Sequence, residues 1–197
     1  LDRLSSTLTI VEDYPSRLAD GLSNGTIDVA IVPSIEFLRG PGRKIVSGAC
    51  IATNGAVRSV KLFGRVPVER IRSLALDEGS RTSAALTRIL LKERFGIVPE
   101  LQSLPLGASL AESSADAVML IGDRGMRPPE GDFAFIWDLG EEWTRWTGLP
   151  FVFALWVVRP GVEPGDIGRL LATARDRGIE SLEEIARNAA PKVGLPE

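Results

Sequence analysis

The sequence predicts an α/β fold of two lobes with a cleft between them, and three observations carry that expectation. Strand-like and helix-like segments alternate along almost the whole chain, the signature of an α/β architecture. Residues 67–149 form a block with its own strands and a long helix. An alternating strand near 57–63 and an apolar strand at 151–158 bracket that block, as expected for a domain inserted into another. The first lobe is therefore predicted to comprise residues 1–66 and 150–197, and the second residues 67–149.

Taken in order, residues 7–11 are β-branched and short, and read as a strand. A helix follows over 15–22, with Leu18 and Leu22 on one face and Asn24-Gly25 ending it. Residues 26–32 read as a second strand, stopped by Pro33, so the unit predicts a parallel right-handed crossover. Residues 57–63 alternate apolar and polar side chains, the mark of a half-exposed strand. A strand over 71–76 then leads through Asp77-Glu78-Gly79-Ser80 into a helix over 81–95. That helix carries Leu86, Ile89 and Leu90 on one face, with Gly96 at its C-terminal cap. Strands are expected at 100–104, 116–121 and 133–137, and a helix over 140–147. The run 151–158 reads as a strand buried on both faces, before two closing helices.

Composition excludes several classes of function. Of the 197 residues, 44% are hydrophobic, enough for a substantial core. The net charge of −3 supplies no basic field, so nucleic acid is not expected as a partner. No apolar run reaches the ~18 residues that a membrane span needs. Cys50 is the sole cysteine, which rules out an intrachain disulfide and fits a reducing compartment. Histidine is absent, which removes Ser-His-Asp triads, Cys-His pairs and His-based zinc sites together. Any general acid or base must be Asp, Glu, Lys, Tyr14, Cys50 or the substrate itself.

Three turns can carry chemistry. In Asp77-Glu78-Gly79-Ser80-Arg81-Thr82-Ser83 a strand end feeds a helix N-terminus, where free N–H groups and the helix dipole favour an anion. Ser80, Thr82 and Ser83 add hydroxyls, and Arg81 can clamp a carboxylate through two parallel hydrogen bonds. The ordinary alternative is capping by Ser80 with Arg81 in solvent. Val32-Pro33-Ser34-Ile35-Glu36 lies past a strand end, where ligands of open α/β sheets gather. There Ser34 can donate to a carboxylate, and Glu36 can act as a base or bind a hydroxyl. Capping of the next helix explains the same residues. Gly122 and Asp123 repeat the layout in the second lobe, although Asp123 and Arg124 can equally pair with each other. Trp137, Trp143, Trp146 and Trp156 read mostly as core, and Cys50 as a small apolar residue.

Four segments in order resemble a known family. Pro33-Ser-Ile-Glu-Phe-Leu38, Leu76-Asp-Glu-Gly-Ser-Arg-Thr-Ser83, Ile121-Gly-Asp-Arg124 and Trp137-Asp-Leu-Gly-Glu-Glu-Trp-Thr-Arg-Trp-Thr-Gly-Leu-Pro-Phe-Val-Phe153 are similar to the MqnA family, the chorismate dehydratases. The resemblance covers roughly residues 8–190. It implies a type II periplasmic-binding-protein fold with an interlobe cleft, in a cytoplasmic hydro-lyase of the futalosine route to menaquinone. It further implies conversion of the dicarboxylate chorismate to 3-[(1-carboxyvinyl)oxy]benzoate and water, without cofactor or metal. Family members start with a further strand and a Tyr-Leu-Asn-Thr-like segment, and extend further at the C-terminus. The chain is accordingly expected to be a fragment lacking the first strand of lobe one, the family's active-site Asn and the last helix or so. Two rival readings stand beside it: the sister enzyme 1,4-dihydroxy-6-naphthoate synthase, and a solute-binding protein that carries a carboxylate without chemistry. Ser-Arg-Thr-Ser followed by Ile-Gly-Asp-Arg favours the dehydratase.

Overall fold

Two sheets organise the chain in a computed structural model that describes residues 8–126 and 131–193. The smaller sheet has the order β1-β8-β2, formed by β1 (Val29–Pro33), β2 (Lys44–Thr53) and β8 (Phe151–Val158), all antiparallel. The larger has the order β5-β4-β6-β3-β7. Its strands are β3 (Val60–Gly64), β4 (Ser73–Asp77), β5 (Glu100–Leu104), β6 (Ala117–Ile121) and β7 (Phe135–Asp138). Strand β4 runs parallel to β5 and β6, whereas β3 is antiparallel to β6 and β7.

Helix α1 (Pro15–Asn24) lays Leu18, Ala19 and Leu22 on Ala30, Val32 and Val157 of the smaller sheet, and Gly25 ends it at φ +81°. Helix α2 (Ser34–Arg39) follows β1 without a break. Helix α3 (Arg81–Phe95) opens on Ser80, whose Oγ accepts from Ser83 N at 3.3 Å, and closes on Gly96 at φ +69°. Its Leu86, Leu90 and Leu91 are fully buried with Leu62, Leu74 and Met119. Helices α4 (Asp123–Met126), α5 (Leu139–Thr147), α6 (Ile167–Glu180) and α7 (Leu182–Val193) complete the chain. No helix among the described residues is long and apolar enough to cross a membrane.

Four expectations need correction. Residues 8–11 form no strand, and Thr7 lies outside the described residues. Leu8, Ile10 and Val11 are exposed, and a β-branched pattern alone supplies no hydrogen-bonding partner. With no strand over 8–11, the parallel crossover expected to lead into β1 is absent among the described residues, and β1 pairs antiparallel with β8 instead. Strand β3 is an interior strand of the larger sheet, between β6 and β7, so a boundary at 66/67 would separate it from its own sheet. Ile89 points to solvent, and Leu91 replaces it on the buried face of α3.

The chain passes from one sheet to the other over residues 54–59 and returns over 148–150. Asp138 links the outward passage to the base of α5. Its Oδ1 accepts from Val57 N at 2.9 Å and from Gly140 N at 3.0 Å, and its Oδ2 from Arg58 N at 2.6 Å. Those bonds hold Arg58 at φ +65°, a left-handed conformation that non-glycine residues rarely adopt. Gly140 is required by close approach, since a Cβ there would lie 2.6 Å from the Gly55 carbonyl oxygen.

At the opposite end of the larger sheet, Asp116 joins the starts of β4 and β6. Its Oδ2 accepts from Arg72 N at 2.8 Å and Ser73 N at 3.0 Å. The Arg72 N–H, aided by Ser73, holds this carboxyl below the usual aspartate range. A depressed native value stabilises the fold above the unfolded aspartate pKa of about 3.9, and the contribution fades as pH falls through the native value. Wild type and Asp116→Asn should therefore differ in denaturation midpoint at neutral pH and converge in strong acid. A gap that persists at low pH would assign the effect to packing.

Candidate functional site

The N-terminal ends of α2 and α3 meet beside the C-terminal end of β4, which Asp77 joins to that of β6. Ser34 Oγ lies 3.4 Å from Thr82 Oγ1, and Ile35 N donates to Thr82 Oγ1 at 3.3 Å. Arg81 crosses the same gap. Its Nη2 reaches both oxygens of Asp20 on α1, at 2.8 and 2.9 Å, and its Nη1 lies 3.6 Å from Glu36 Oε2. Glu36 is mostly buried, and its other oxygen faces Arg39 at 3.7 Å.

A hollow of about 520 Å3 opens beside this contact, lined by Ser16, Asp77, Glu78, Arg81, Gln102 and Ser103 among others. That volume suits a small organic ligand. Its floor is ordered by Asp77, whose side chain is fully buried. Asp77 Oδ1 accepts from Gly79 N at 2.9 Å, while Oδ2 accepts from Arg124 Nη2 at 2.5 Å. Arg124 also donates to the Ala108 carbonyl at 2.5 Å. The turn that presents Arg81 is thus fixed from behind by a buried ion pair.

The residues singled out from sequence fall into three groups. Arg81, Thr82, Ser34 and Glu36 come together at the contact between lobes, and Arg81 alone of them lines the hollow. Ser80 and Ser83 bond to each other, Oγ to Oγ at 2.7 Å, and Ser83 is fully buried, so their hydroxyls serve the cap of α3. Gly122, at φ +65°, and Asp123 are exposed at the end of β6. Arg124 does not pair with Asp123 as the sequence allowed, but with Asp77, 47 residues earlier. None of the four tryptophans lines the hollow; Trp137 stacks on Phe95, and Trp143 packs edge-on against Phe151. Sequence reasoning missed Ser16 and Asp20, one helical turn apart on α1, because nothing local says which lobe a polar helix face will meet.

A family model described as menaquinone biosynthesis matches residues 2–197. The chain belongs to this menaquinone biosynthesis family. Among its relatives, the chorismate dehydratase of Thermus thermophilus is 30% identical over 94% of this chain and 74% of its own length. The chorismate dehydratase of Campylobacter jejuni is 32% identical over 71% of this chain, which spans about half of that relative, 49%. Among solved structures, a protein from Archaeoglobus fulgidus superposes with a TM-score of 0.62 at 16% identity, covering 91% of this chain and 68% of that one. The periplasmic aliphatic sulphonate binding protein of Escherichia coli superposes with a TM-score of 0.50 at 15% identity, over 94% and 64% of the two chains. The family member described here thus has the two-lobed α/β fold of periplasmic binding proteins, as its sequence led one to expect.

Proposed function

We propose that this chain is a chorismate dehydratase, a cytoplasmic hydro-lyase that releases water and 3-[(1-carboxyvinyl)oxy]benzoate. The likeness to two enzymes of that name across most of the chain carries the reading. The geometry supports it through one cation, Arg81, standing at the lip of a hollow between two lobes.

The chemistry asks little beyond positioning. Chorismate loses the proton on C3 and the hydroxyl on C4; the C–H pair becomes the new ring double bond, and the hydroxyl leaves with a proton as water. The ring becomes aromatic, so the step is strongly downhill. The leaving hydrogen and hydroxyl share one face, as in a syn elimination. Arg81 would hold one substrate carboxylate, and Ser34, Thr82 and the N-terminal amides of α3 would complete the orientation, an effect worth several kcal/mol. Ser80 and Ser83 would contribute by keeping those amides in place, and Asp123 with Gly122 would close the far side. The C3 proton has two candidate acceptors, Glu36 and the substrate's own side-chain carboxylate.

One experiment tests this reading. Mixed with chorismate, the protein should abolish the diene absorbance, whereas a carrier would bind without consuming it and a naphthoate synthase would leave it untouched. By calorimetry, Arg81→Ala should weaken binding by about 1–3 kcal/mol, the cost of losing a partner to a charged group. Unchanged affinity by calorimetry would remove this turn from the site.

A further inference from the structure

We infer that Asp20 is a placeholder for the substrate's carboxylate, occupying Arg81 until a ligand displaces it. The inference rests on the proposed role of Arg81 and adds a positioning residue on α1 that regulates access to it.

Across the lobe contact Arg81 hydrogen-bonds through Nη2 alone. One nitrogen is shared between the two oxygens of Asp20, and the other faces Glu36. An incoming carboxylate can take the end-on position across Nη1 and Nη2 only if one of the two carboxylates there gives way. The two candidates differ in what leaving costs. Glu36 is 13% exposed and has Arg39 as a second cation, so release would strand a buried charge between neighbours that hold it. Asp20 is 59% exposed and faces water when it lets go, and an exposed pair of this kind contributes little. Asp20 is therefore the one that yields.

Its position fits the role. Asp20 stands one turn beyond Ser16 on α1, and Ser16, itself buried, lines the hollow next to Arg81. The face of α1 that holds Arg81 is thus the face that borders the ligand space. The pair keeps the guanidinium extended toward the hollow. It also joins α1 of one lobe to α3 of the other, so displacement frees a link between lobes as the ligand enters.

The test is a double-mutant cycle on chorismate affinity by calorimetry, with wild type, Asp20→Asn, Arg81→Ala and the double variant. Asp20→Asn keeps the shape of an exposed side chain, and thermal melts establish that it folds. Relief of a competing pair of this size should tighten binding by roughly two- to fivefold. The gain should vanish in the Arg81→Ala background. Weaker or unchanged binding in Asp20→Asn, with Arg81→Ala still strongly impaired, overturns the placeholder role and leaves the site standing. A gain that survives without Arg81 overturns it too, by assigning Asp20 to general charge repulsion. Indifference of both single variants would instead remove Arg81 from the site, and the inference with it.

Discussion

Asp77→Ala is expected to lower stability by about 3–5 kcal/mol, the range for breaking a buried ion pair by removing one partner. The carboxylate is fully buried and binds three groups from separate parts of the second lobe. Gly79 N belongs to its own turn, Ile121 N to the end of β6, and Arg124 to the start of α4. Alanine would leave the Gly79 amide without its acceptor and Arg124 with only the Ala108 carbonyl. In a domain pair of this size each kcal/mol corresponds to about 2–4 °C, so the melting temperature should fall by roughly 6–20 °C.

The companion substitutions identify the cause. Asp77→Asn keeps an acceptor for Gly79 but turns an amide toward a guanidinium, and should fall between wild type and alanine. Arg124→Ala combined with Asp77→Ala should cost less than the two single changes added, because the second deletion removes a charge already left unpaired. The site should feel the loss as well, since Asp77 fixes the turn from which Arg81 projects. Chorismate affinity should therefore fall in Asp77→Asn even at temperatures where the variant is folded. A melting shift under about 2 °C for Asp77→Ala would mean a cost below about 1 kcal/mol and overturn the expectation.

What the sequence revealed, and what it hid, divides by range along the chain. Helix α3 was legible at both ends because its signals are local: Ser80 caps it and Gly96 ends it, within the helix's own neighbourhood. Strand β8 was legible because it is bounded by turn residues and apolar along its whole length. Residues 8–11 misled for the opposite reason, since a strand exists only where a partner is hydrogen-bonded to it. The same limit governs the site. Ser34, Glu36 and the 80–83 turn could be singled out because each follows a strand end, a position visible in one dimension. Asp20, Ser16 and the pairing of Arg124 with Asp77 were invisible, because they depend on which helix face and which loop the two sheets bring together. Serine hydroxyls read as ligand donors proved to be engaged in a cap, a choice that spacing alone left open.

Arg94→Ala is expected to be as damaging as Asp77→Ala, at about 3–5 kcal/mol, although Arg94 touches no part of the hollow. It lies at the C-terminal end of α3 and donates to Glu142 Oε2 of α5 at 2.5 Å. Glu142 is buried, and Arg145, one turn further along α5, bonds its other oxygen. The two cations are not equivalent. Arg145 is 58% exposed and can be replaced by water, so Arg145→Ala should cost under about 1 kcal/mol. Arg94 is 22% exposed and stands over the rings of Phe95 and Trp137, at 5.2 and 5.7 Å from their centroids. Removing it leaves Oε2 of a buried carboxylate without its partner and strips a cation from two stacked rings. Because α5 leads directly into the return to β8, loosening it should also free the smaller sheet from the larger. Thermal melts of the two variants side by side decide the matter: equal shifts for Arg94→Ala and Arg145→Ala would mean that burial does not set the strength of this pair.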